Sequence, residues 1–344
     1  MMIREFKTRT GCIFSDTEKN LEWLYVGDYG KECNIKADFL GLTKEIHSVP
    51  HKEVDLSQKM VVTISTQKGC PMKCRFCDCP KVPFGGNATH ADLMYQIEHA
   101  IKVSRCTETE RFNLHLARMG EPSFNFKNIR RLLKEDLKGL VSSLIKAKTI
   151  HPVFTTMCPK VMDKEYMAAL LTEFCHIKNE VYSGEAGLQL SINSTDEKQR
   201  SELFNGQSMT LEEIAQIAAY LPTPRGRKYT LNFPVTKETK LNPQELSYLF
   251  DKTKFIVKIT PIHETTEAVK NGIQTEGGYE NYNVYRRFEQ PLLREGWEVI
   301  VFIPSKEEDE DRMELWIAII ILPTKSMFHF SLLMKIRKYL CIPQ

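Results

Sequence analysis

The fold of this chain is decided by the stretch from Met60 to Cys77, which reads MVVTISTQKGCPMKCRFC. Its first part, Met60 to Ser65, is apolar and β-branched, and this composition predicts a buried strand. Three cysteines follow directly, with three residues between the first and second and two between the second and third. The sequence therefore predicts a strand that ends in a cysteine-bearing loop.

Further apolar, β-rich runs alternate with helical patterns from about residue 60 to about residue 304. The other strand candidates are Phe112 to Arg118, Pro152 to Met157, Leu188 to Asn193, Tyr229 to Val235, Phe255 to Ile262 and Glu298 to Ile303. The helix candidates are Asp92 to Ser104, Asn128 to Lys146, Lys164 to Cys175, Leu211 to Leu221, Pro243 to Lys252 and Tyr282 to Glu295. This βα alternation predicts a parallel sheet with helices packed outside it.

An open doubly wound sheet and a barrel share this pattern, so the position of the polar signals has to distinguish them. In barrels, chemistry gathers at the carboxyl ends of the strands. Polar motifs follow five strands here: the cysteine loop, Met119-Gly120-Glu121-Pro122, Thr155-Thr156, Ser191 to Asn193, and His263. We therefore predict an α/β fold, a partial (β/α)6-type barrel.

The two ends of the chain differ from this central region. Residues 1–58 have weak periodicity, which indicates a small N-terminal cap or edge strands before a barrel over residues 59–305. Residues 306–344 form an atypical tail, with a wholly apolar run from Trp316 to Leu322. Pro323, Lys325 and His329 interrupt the apolar character, so the tail contains no clean run of about 20 apolar residues and predicts no membrane partner.

Composition indicates an ordinary globular protein. The 344 residues carry a formal charge of +3, which is too small to identify a nucleic-acid partner. The start lacks a charged segment followed by an apolar one, so we expect a cytoplasmic protein without a secretion signal. In a cytosolic setting, tightly clustered cysteines favour metal binding over disulfides.

The spacing of Cys70, Cys74 and Cys77 suits an iron–sulfur cluster. Three thiolates on one tight loop can hold three corners of a cubane and leave the fourth iron without a protein ligand. A structural zinc site normally has four protein ligands, and Cys79 is available as the fourth. Zinc binding and accidental clustering of buried cysteines therefore stay open as alternatives.

These motifs resemble the signature of the radical S-adenosylmethionine (SAM) superfamily. In detail they are similar to the dual-specificity RNA adenine C2 methyltransferases and their C8-methylating relatives, over roughly residues 45 to 304. The matching motifs are Val61 to Cys70, Asn87-Ala88-Thr89, Met119-Gly120-Glu121-Pro122 with Asn125, Thr155-Thr156, Ser191-Ile192-Asn193 and Thr260-Pro261-Ile262-His263.

The resemblance implies that Cys70, Cys74 and Cys77 hold a [4Fe-4S] cluster whose open iron binds SAM. One electron then cleaves SAM to a 5′-deoxyadenosyl radical. The residues implied to contact SAM are Gly120, Glu121, Thr155, Ser191, Asn193 and His263. Taken without the resemblance, Thr155, Ser191 and Asn193 fit equally well as strand-end residues bonded to the backbone.

The resemblance also implies a catalytic residue and partners. Glu45 lies five residues before Pro50 and matches a glutamate proposed as a proton acceptor in the family. The implied substrate is RNA, either rRNA or tRNA, and the implied electron donor is a protein such as a flavodoxin or a ferredoxin. Three functions stay open: an RNA adenine-carbon methyltransferase, a radical SAM enzyme with other hydrogen-abstraction chemistry on a nucleotide, metabolite or peptide, and an inactive relative.

The chain departs from the family at both ends. The larger N-terminal accessory domain is missing or shrunken, and the methyl-carrying cysteine, in an Ala-Cys-Gly sequence after the last strand, is absent from the expected place. Cys341 is the only cysteine in the tail, and no glycine follows it. Leu315-Trp316, if the leucine codon is TTG or CTG, contains a Cys-Gly pair in the next reading frame. The hypotheses for residues after about Asp311 are therefore a frameshift product, a recent divergence, or a genuine apolar element.

Overall fold

The computed structural model describes residues 3–8, 10–27, 55–276 and 282–303. The candidate proton acceptor Glu45 and the C-terminal tail with Cys341 lie outside the described residues. Within those segments, no helix combines the length and the apolar character needed to span a bilayer.

Twelve strands are described, and ten of them form one sheet. The strands are β1 (Ile3–Lys7), β2 (Gly11–Asp16), β3 (Leu21–Gly27), β4 (Lys59–Ile64), β5 (Gln67–Lys68), β6 (Gly86–Asn87), β7 (Glu108–Leu116), β8 (Lys146–Thr156), β9 (Gly187–Ser191), β10 (Tyr229–Val235), β11 (Phe255–Pro261) and β12 (Val299–Val301). The sheet order is β1-β2-β3-β4-β7-β8-β9-β10-β11-β12, and β5 and β6 form a separate two-stranded sheet.

The helices lie in the connections between the strands. They are α1 (His90–Ser104), α2 (Phe126–Arg131), α3 (Leu137–Leu144), α4 (Lys164–His176), α5 (Glu197–Leu203), α6 (Leu211–Tyr220), α7 (Pro243–Leu249), α8 (Thr266–Lys270) and α9 (Arg286–Arg294). A π-helical turn at Leu132–Asp136 joins α2 to α3, so the single helix predicted there is one helical segment with a π turn inside it. The sequence did not predict the short helices α5 and α8.

The order of the parallel strands identifies the architecture. From β4 to β12, each strand lies parallel beside the next one along the chain. A doubly wound sheet reverses its strand order at a switch point, whereas a barrel adds strands in sequence. The predicted partial (β/α) barrel is therefore confirmed, and all seven strands that the sequence predicted are present.

The N-terminal residues extend this sheet. Strands β1 to β3 form an antiparallel meander, and β3 pairs antiparallel with β4. A buried ion pair between Glu22 of β3 and Arg118 ties the meander to the segment after β7. The prediction of edge strands before residue 58 is consistent with this arrangement, while the division of the chain into three domains stays a prediction.

The two faces of the sheet differ in chemistry. Leu114, Leu190 and Val257 belong to the large apolar core, which also includes the buried faces of the helices. Because side chains alternate along a strand, their neighbours His115 and Gln189 lie on the opposite face. We call that second side the helix-free face. It carries polar and charged residues, several of them only half-buried.

Candidate functional site

The cysteine loop, residues 70–79, is tied to two distant helices. The backbone N–H of Arg75 donates to the Leu203 carbonyl in α5 at 2.9 Å. Asn271 donates to the Arg75 carbonyl at 2.9 Å, and Thr265 donates to the Phe76 carbonyl at 3.0 Å. These contacts come from the connections after β9 and β11, so the loop is held across the carboxyl edge of the sheet.

A buried carboxylate fixes the end of this loop. Asp78 accepts hydrogen bonds from the backbone N–H groups of Thr266 at 3.0 Å and Glu267 at 2.8 Å, at the start of α8. Lys81 forms an ion pair with the same carboxylate. The Asp78 carboxylate is therefore occupied in holding α8 and is not available as a ligand.

The three cysteines share apolar surroundings. Cys70 and Cys74 pack near Met72, Met157 and Phe204, and the Cys74 thiol lies 3.9 Å from the Met157 sulfur. Cys70 and Cys77 also pack beside Met119 and Cys79. In the described part of the chain, no three histidine, cysteine, aspartate or glutamate side chains are already placed to share one metal ion.

The electrostatics of the thiols indicate a site that needs positive charge. Burial, followed by the nearby Cys77 and then by Glu121, raises the pKa of Cys70 to about 12. Burial, followed by Cys77 and Cys70, raises the pKa of Cys74 well above its usual value. Three thiolates together in this environment are unfavourable without cations, and bound iron supplies that charge. The donor set therefore fits an iron–sulfur cluster.

Gly120 permits a close approach between two loops. Its φ of +98° lies in the left-handed region, and a Cβ there would come within 2.6 Å of the Gln67 Cβ and 2.8 Å of the Gln67 backbone nitrogen. No other residue type fits this position without displacing β5. The contact also lets the Glu121 N–H donate to the Gln67 side chain at 2.8 Å.

Glu121 is a buried carboxylate held by four donors. One oxygen accepts from the Ser123 N–H at 3.1 Å, the Ser123 hydroxyl at 2.8 Å and the Thr156 hydroxyl at 2.6 Å. The other oxygen accepts from the Met157 N–H at 3.1 Å. Burial raises the pKa of Glu121, although these hydrogen bonds act in the opposite direction.

Within the described residues, no lysine or arginine forms an ion pair with the Glu121 carboxylate. A buried negative charge without a counter-ion is unfavourable. An ammonium group bound at the second oxygen would remove that penalty. The environment of Glu121 therefore fits the amino group of an amino-acid-like ligand, such as the methionine part of SAM.

The remaining predicted ligands lie at the same edge but face different ways. Thr155 accepts from Gln189 at 3.0 Å on the helix-free face, and Ser191 is half-buried at the end of β9. Asn193 is 1% exposed with a φ of +63°, and neither of its side-chain polar atoms has a hydrogen-bond partner in the part that is described. His263 is half-buried directly after β11.

Sequence reasoning missed several residues that build this site. Thr156 contacts Glu121, whereas the neighbouring Thr155 was predicted as the ligand. Gln67, Asp78 and Asn271 position the loops. Gln67 lies within the motif that matches the family, so this motif could have identified it. No local sequence pattern could pair Asp78 or Asn271 with partners almost 200 residues away in the chain.

Comparisons with known proteins show which proteins this chain resembles. No protein-family model matches the chain. Over 156 residues the chain is 28% identical to the probable dual-specificity RNA methyltransferase RlmN of Heliobacterium modesticaldum, covering 45% of this chain and 36% of that protein. Over 232 residues it is 22% identical to the probable RlmN of Aquifex aeolicus, covering 65% and 62%. The chain thus spans less than two thirds of the length of either relative.

In three dimensions the chain is similar to the crystal structure of a radical SAM methyltransferase from Sphaerobacter thermophilus. The TM-score is 0.56 at 17% sequence identity, and the match covers 87% of this chain and 76% of that structure. This similarity confirms the predicted fold, and the sequence matches confirm the predicted resemblance to the RlmN methyltransferases.

Proposed function

We propose that this chain, a relative of the radical SAM RNA methyltransferases, binds a [4Fe-4S] cluster and SAM and modifies RNA. Cys70, Cys74 and Cys77 would hold the cluster. Glu121 would bind the SAM ammonium, with Gly120, Ser191, Asn193 and His263 as further contacts. When bound, such a cluster supplies the electron that cleaves SAM to methionine and a 5′-deoxyadenosyl radical.

The observation that carries this proposal is the environment of Glu121. Its carboxylate is buried, accepts four hydrogen bonds and lies close enough to the cysteines to raise the pKa of Cys70 and Cys74. A structural zinc site would not require such a carboxylate beside it. A site for a cluster and an amino acid requires both groups together.

The residues of the chain would hold the cofactor in one orientation and exclude water. Ser123 and Thr156 fix the Glu121 carboxylate, so binding an ammonium needs little reorganisation. Met72, Met157 and Phe204 surround the thiols with apolar surface. The cysteines are only partly buried, so an electron-donor protein such as a flavodoxin or ferredoxin would reach the site from the exposed side of the loop.

An RNA substrate is supported by the sequence relatives. Adenine carbons are electrophilic, so they do not accept a methyl cation from SAM directly, and a radical route is needed. The family uses a methylated cysteine after the last strand for this purpose. In this chain, Cys341 is the only cysteine beyond Cys175.

The missing cysteine supports a second candidate function. A radical SAM enzyme that abstracts hydrogen from a nucleotide, metabolite or peptide needs the cluster and SAM but no methyl-carrying thiol. The intact motifs around Cys70 and Glu121 argue against an inactive relative. A chain without cofactors would have no reason to keep a buried carboxylate without a cationic partner among the described residues.

The first experiment tests the cofactors. After anaerobic reconstitution we expect about four irons per chain and formation of 5′-deoxyadenosine when reductant and SAM are added. Replacing Cys70, Cys74 or Cys77 by Ala should abolish both. Cys79→Ala is the matched control in the same loop and should retain both. Stoichiometric zinc without iron uptake would refute the proposal.

The second experiment tests methyl transfer. RNA would be treated with the reconstituted chain and with a version whose reading frame is shifted after Arg312, and then analysed by mass spectrometry. We expect the shifted version to methylate an adenine carbon and the chain as given to leave RNA unmethylated. Methylation by the present chain that survives Cys341→Ala would show that the cysteine requirement is wrong.

A further inference from the structure

We propose that Arg200 of α5 is a positioning residue of the cofactor site, which holds the end of β9 next to the cysteine loop and places a fixed positive charge beside Cys74. This inference rests on the proposed function and deepens it, because it identifies a protein cation that offsets the buried thiolates. Neither the sequence motifs nor the candidate ligands include Arg200.

The Arg200 side chain is buried without an acidic partner. The residue is 0% exposed, and within the described ranges no aspartate or glutamate forms an ion pair with it. Glu197, three residues earlier in α5, is exposed, and its carboxylate accepts from the Leu211 N–H at 2.8 Å. A buried charge of this kind is unfavourable unless nearby groups of opposite sign offset it.

Neutral acceptors fix the guanidinium at the end of β9. Its Nη1 donates to the Ser191 carbonyl at 2.8 Å and to the Ile192 carbonyl at 2.6 Å. Its Nη2 donates to the Ser208 hydroxyl. Ser191 and Asn193 are predicted SAM contacts, so Arg200 holds the backbone of the segment that carries both. These acceptors orient the guanidinium without cancelling its charge.

Arg200 also lies close to the apolar surroundings of the cysteine loop. The guanidinium carbon is 4.8 Å from the centre of the Phe204 ring. Phe204 belongs to the apolar cluster that packs against Cys70 and Cys74, and its ring is edge-on to that of Phe76 with 5.7 Å between the centres. The Phe204 ring therefore connects the guanidinium to the surroundings of the thiols.

A chain of contacts links Arg200 to Glu121. The Ser208 hydroxyl, which accepts from Arg200, donates to the Met157 carbonyl at 2.6 Å. The Met157 N–H donates to the Glu121 carboxylate at 3.1 Å, and the Met157 sulfur lies 3.9 Å from the Cys74 thiol. Arg200 thus joins the end of β9 to the carboxylate and to the cysteine loop at once.

The charge of Arg200 acts on the same groups. Burial lowers the pKa of Arg200 to about 10, while Cys158, Glu197 and Cys74 act in the opposite direction. Arg200 therefore stays protonated at neutral pH. Electron uptake adds negative charge to a cluster on the cysteine loop, so a fixed positive charge beside Cys74 favours it.

The test compares Arg200→Gln with Lys178→Gln in the reconstituted full chain. Lys178 is also 0% exposed, but it donates to the Gly184 and Arg225 carbonyls, which precede β9 and β10 at the opposite edge of the sheet. Both variants lose a buried charge, so both should lower the free energy of unfolding. Only Arg200→Gln should change the cofactor site.

The first readout is a redox titration followed by electron paramagnetic resonance. Arg200→Gln should lower the equilibrium constant of one-electron reduction about tenfold, which corresponds to about 59 mV. Lys178→Gln should leave it unchanged. Arg200→Lys keeps the charge and should stay within about threefold of the parent chain.

The second readout is SAM binding by equilibrium dialysis at equal iron content. Arg200→Gln should raise the SAM dissociation constant at least about tenfold, because the segment with Ser191 loses its two charged donors. Arg200→Lys lacks the planar fork, so it should bind SAM more weakly than the parent chain even though its reduction is nearly unchanged. Lys178→Gln should bind SAM as the parent does.

An unchanged reduction equilibrium or an unchanged SAM affinity in Arg200→Gln would overturn the inference. Equal changes in Lys178→Gln would also overturn it, since both variants would then report lost stability alone. If Arg200→Gln does not fold, Ser208→Ala keeps the charge and removes the link to Met157. Its SAM dissociation constant should rise at least about threefold, and an unchanged constant would refute the positioning role.

A readout without iron separates this inference from the proposed function. A parent chain that takes up no iron would refute the proposed function. In that case, hydrogen exchange of the Arg75 amide, which donates to the Leu203 carbonyl of α5, tests Arg200 in the apoprotein. We expect exchange at least about tenfold faster in Arg200→Gln than in Lys178→Gln, and equal rates would overturn the inference.

Discussion

Glu121→Gln should separate folding from cofactor binding. The carboxylate now accepts from Ser123 twice, from Thr156 and from Met157. A glutamine oxygen can keep the first three bonds, but its NH2 group would face the Met157 N–H. Leaving that donor unsatisfied costs about 1–3 kcal/mol. Removing a buried charge acts in the opposite direction, so the net change in unfolding free energy should be within about 1 kcal/mol.

The effect of Glu121→Gln on SAM binding should be much larger. A hydrogen bond from an ammonium to a carboxylate contributes about 1.5–3 kcal/mol, which corresponds to a dissociation constant about 10- to 150-fold higher. The assay is SAM binding by equilibrium dialysis at equal iron content. Glu110→Gln is the matched control, because Glu110 lies near the start of β7, whereas Glu121 follows the end of that strand, and the Glu110 side chain is 64% exposed. A Glu121→Gln affinity within twofold of the parent chain would refute the reasoning.

The pH dependence of stability gives a further readout for the same variant. Burial raises the pKa of Glu121 in the folded chain above its ordinary value of 4.5. The stabilisation from its protonation is therefore fully present below that value and is lost as the pH rises through the folded pKa. Urea midpoints of the apoprotein should show this loss for the parent chain, and Glu121→Gln should lack it.

Three other substitutions test the surrounding fold. Gly120→Ala should lower the free energy of unfolding in urea by at least about 2 kcal/mol, because its positive φ and the contact with Gln67 leave no room for a Cβ; an unchanged urea midpoint would mean that the loops are further apart. Thr89→Ala removes the reciprocal cap of α1 and should cost about 1 kcal/mol, measured against Thr172→Ala within α4. Burial lowers the pKa of His151 to about 4, so the folded chain favours the neutral imidazole. The stability that this preference gives is present above the ordinary pKa of 6.5 and is lost as the pH falls towards 4. His151→Gln should therefore lose less stability than the parent between pH 7 and pH 4, and an equal loss would contradict this assignment.

The parallel strands could be predicted from the sequence because each is a short apolar run bounded by polar residues. The N-terminal strands gave weaker signals for a physical reason. Strand β2 is buried at five consecutive positions, and β3 is buried at six of its seven. A strand buried on both faces loses the alternation that identifies it.

Only the cofactor residues that lie within sequence motifs could be predicted from the sequence. Gly120 and Glu121 lie in a local pattern, and the structure gives both a specific role. Whether Thr155 or Thr156 contacts Glu121 depends on where β8 ends relative to Glu121. A single sequence does not give that position.

The pairing of β3 with β4 has a consequence for how large a substrate can be. In a closed barrel, the last parallel strand would bond to the free edge of β4, but β3 already occupies that edge. Among the described residues, backbone pairing between β4 and β12 therefore does not seal the wall around the helix-free face. Under the proposed function, an RNA longer than the interior would pass at this position, with its reacting unit inside and both of its ends outside.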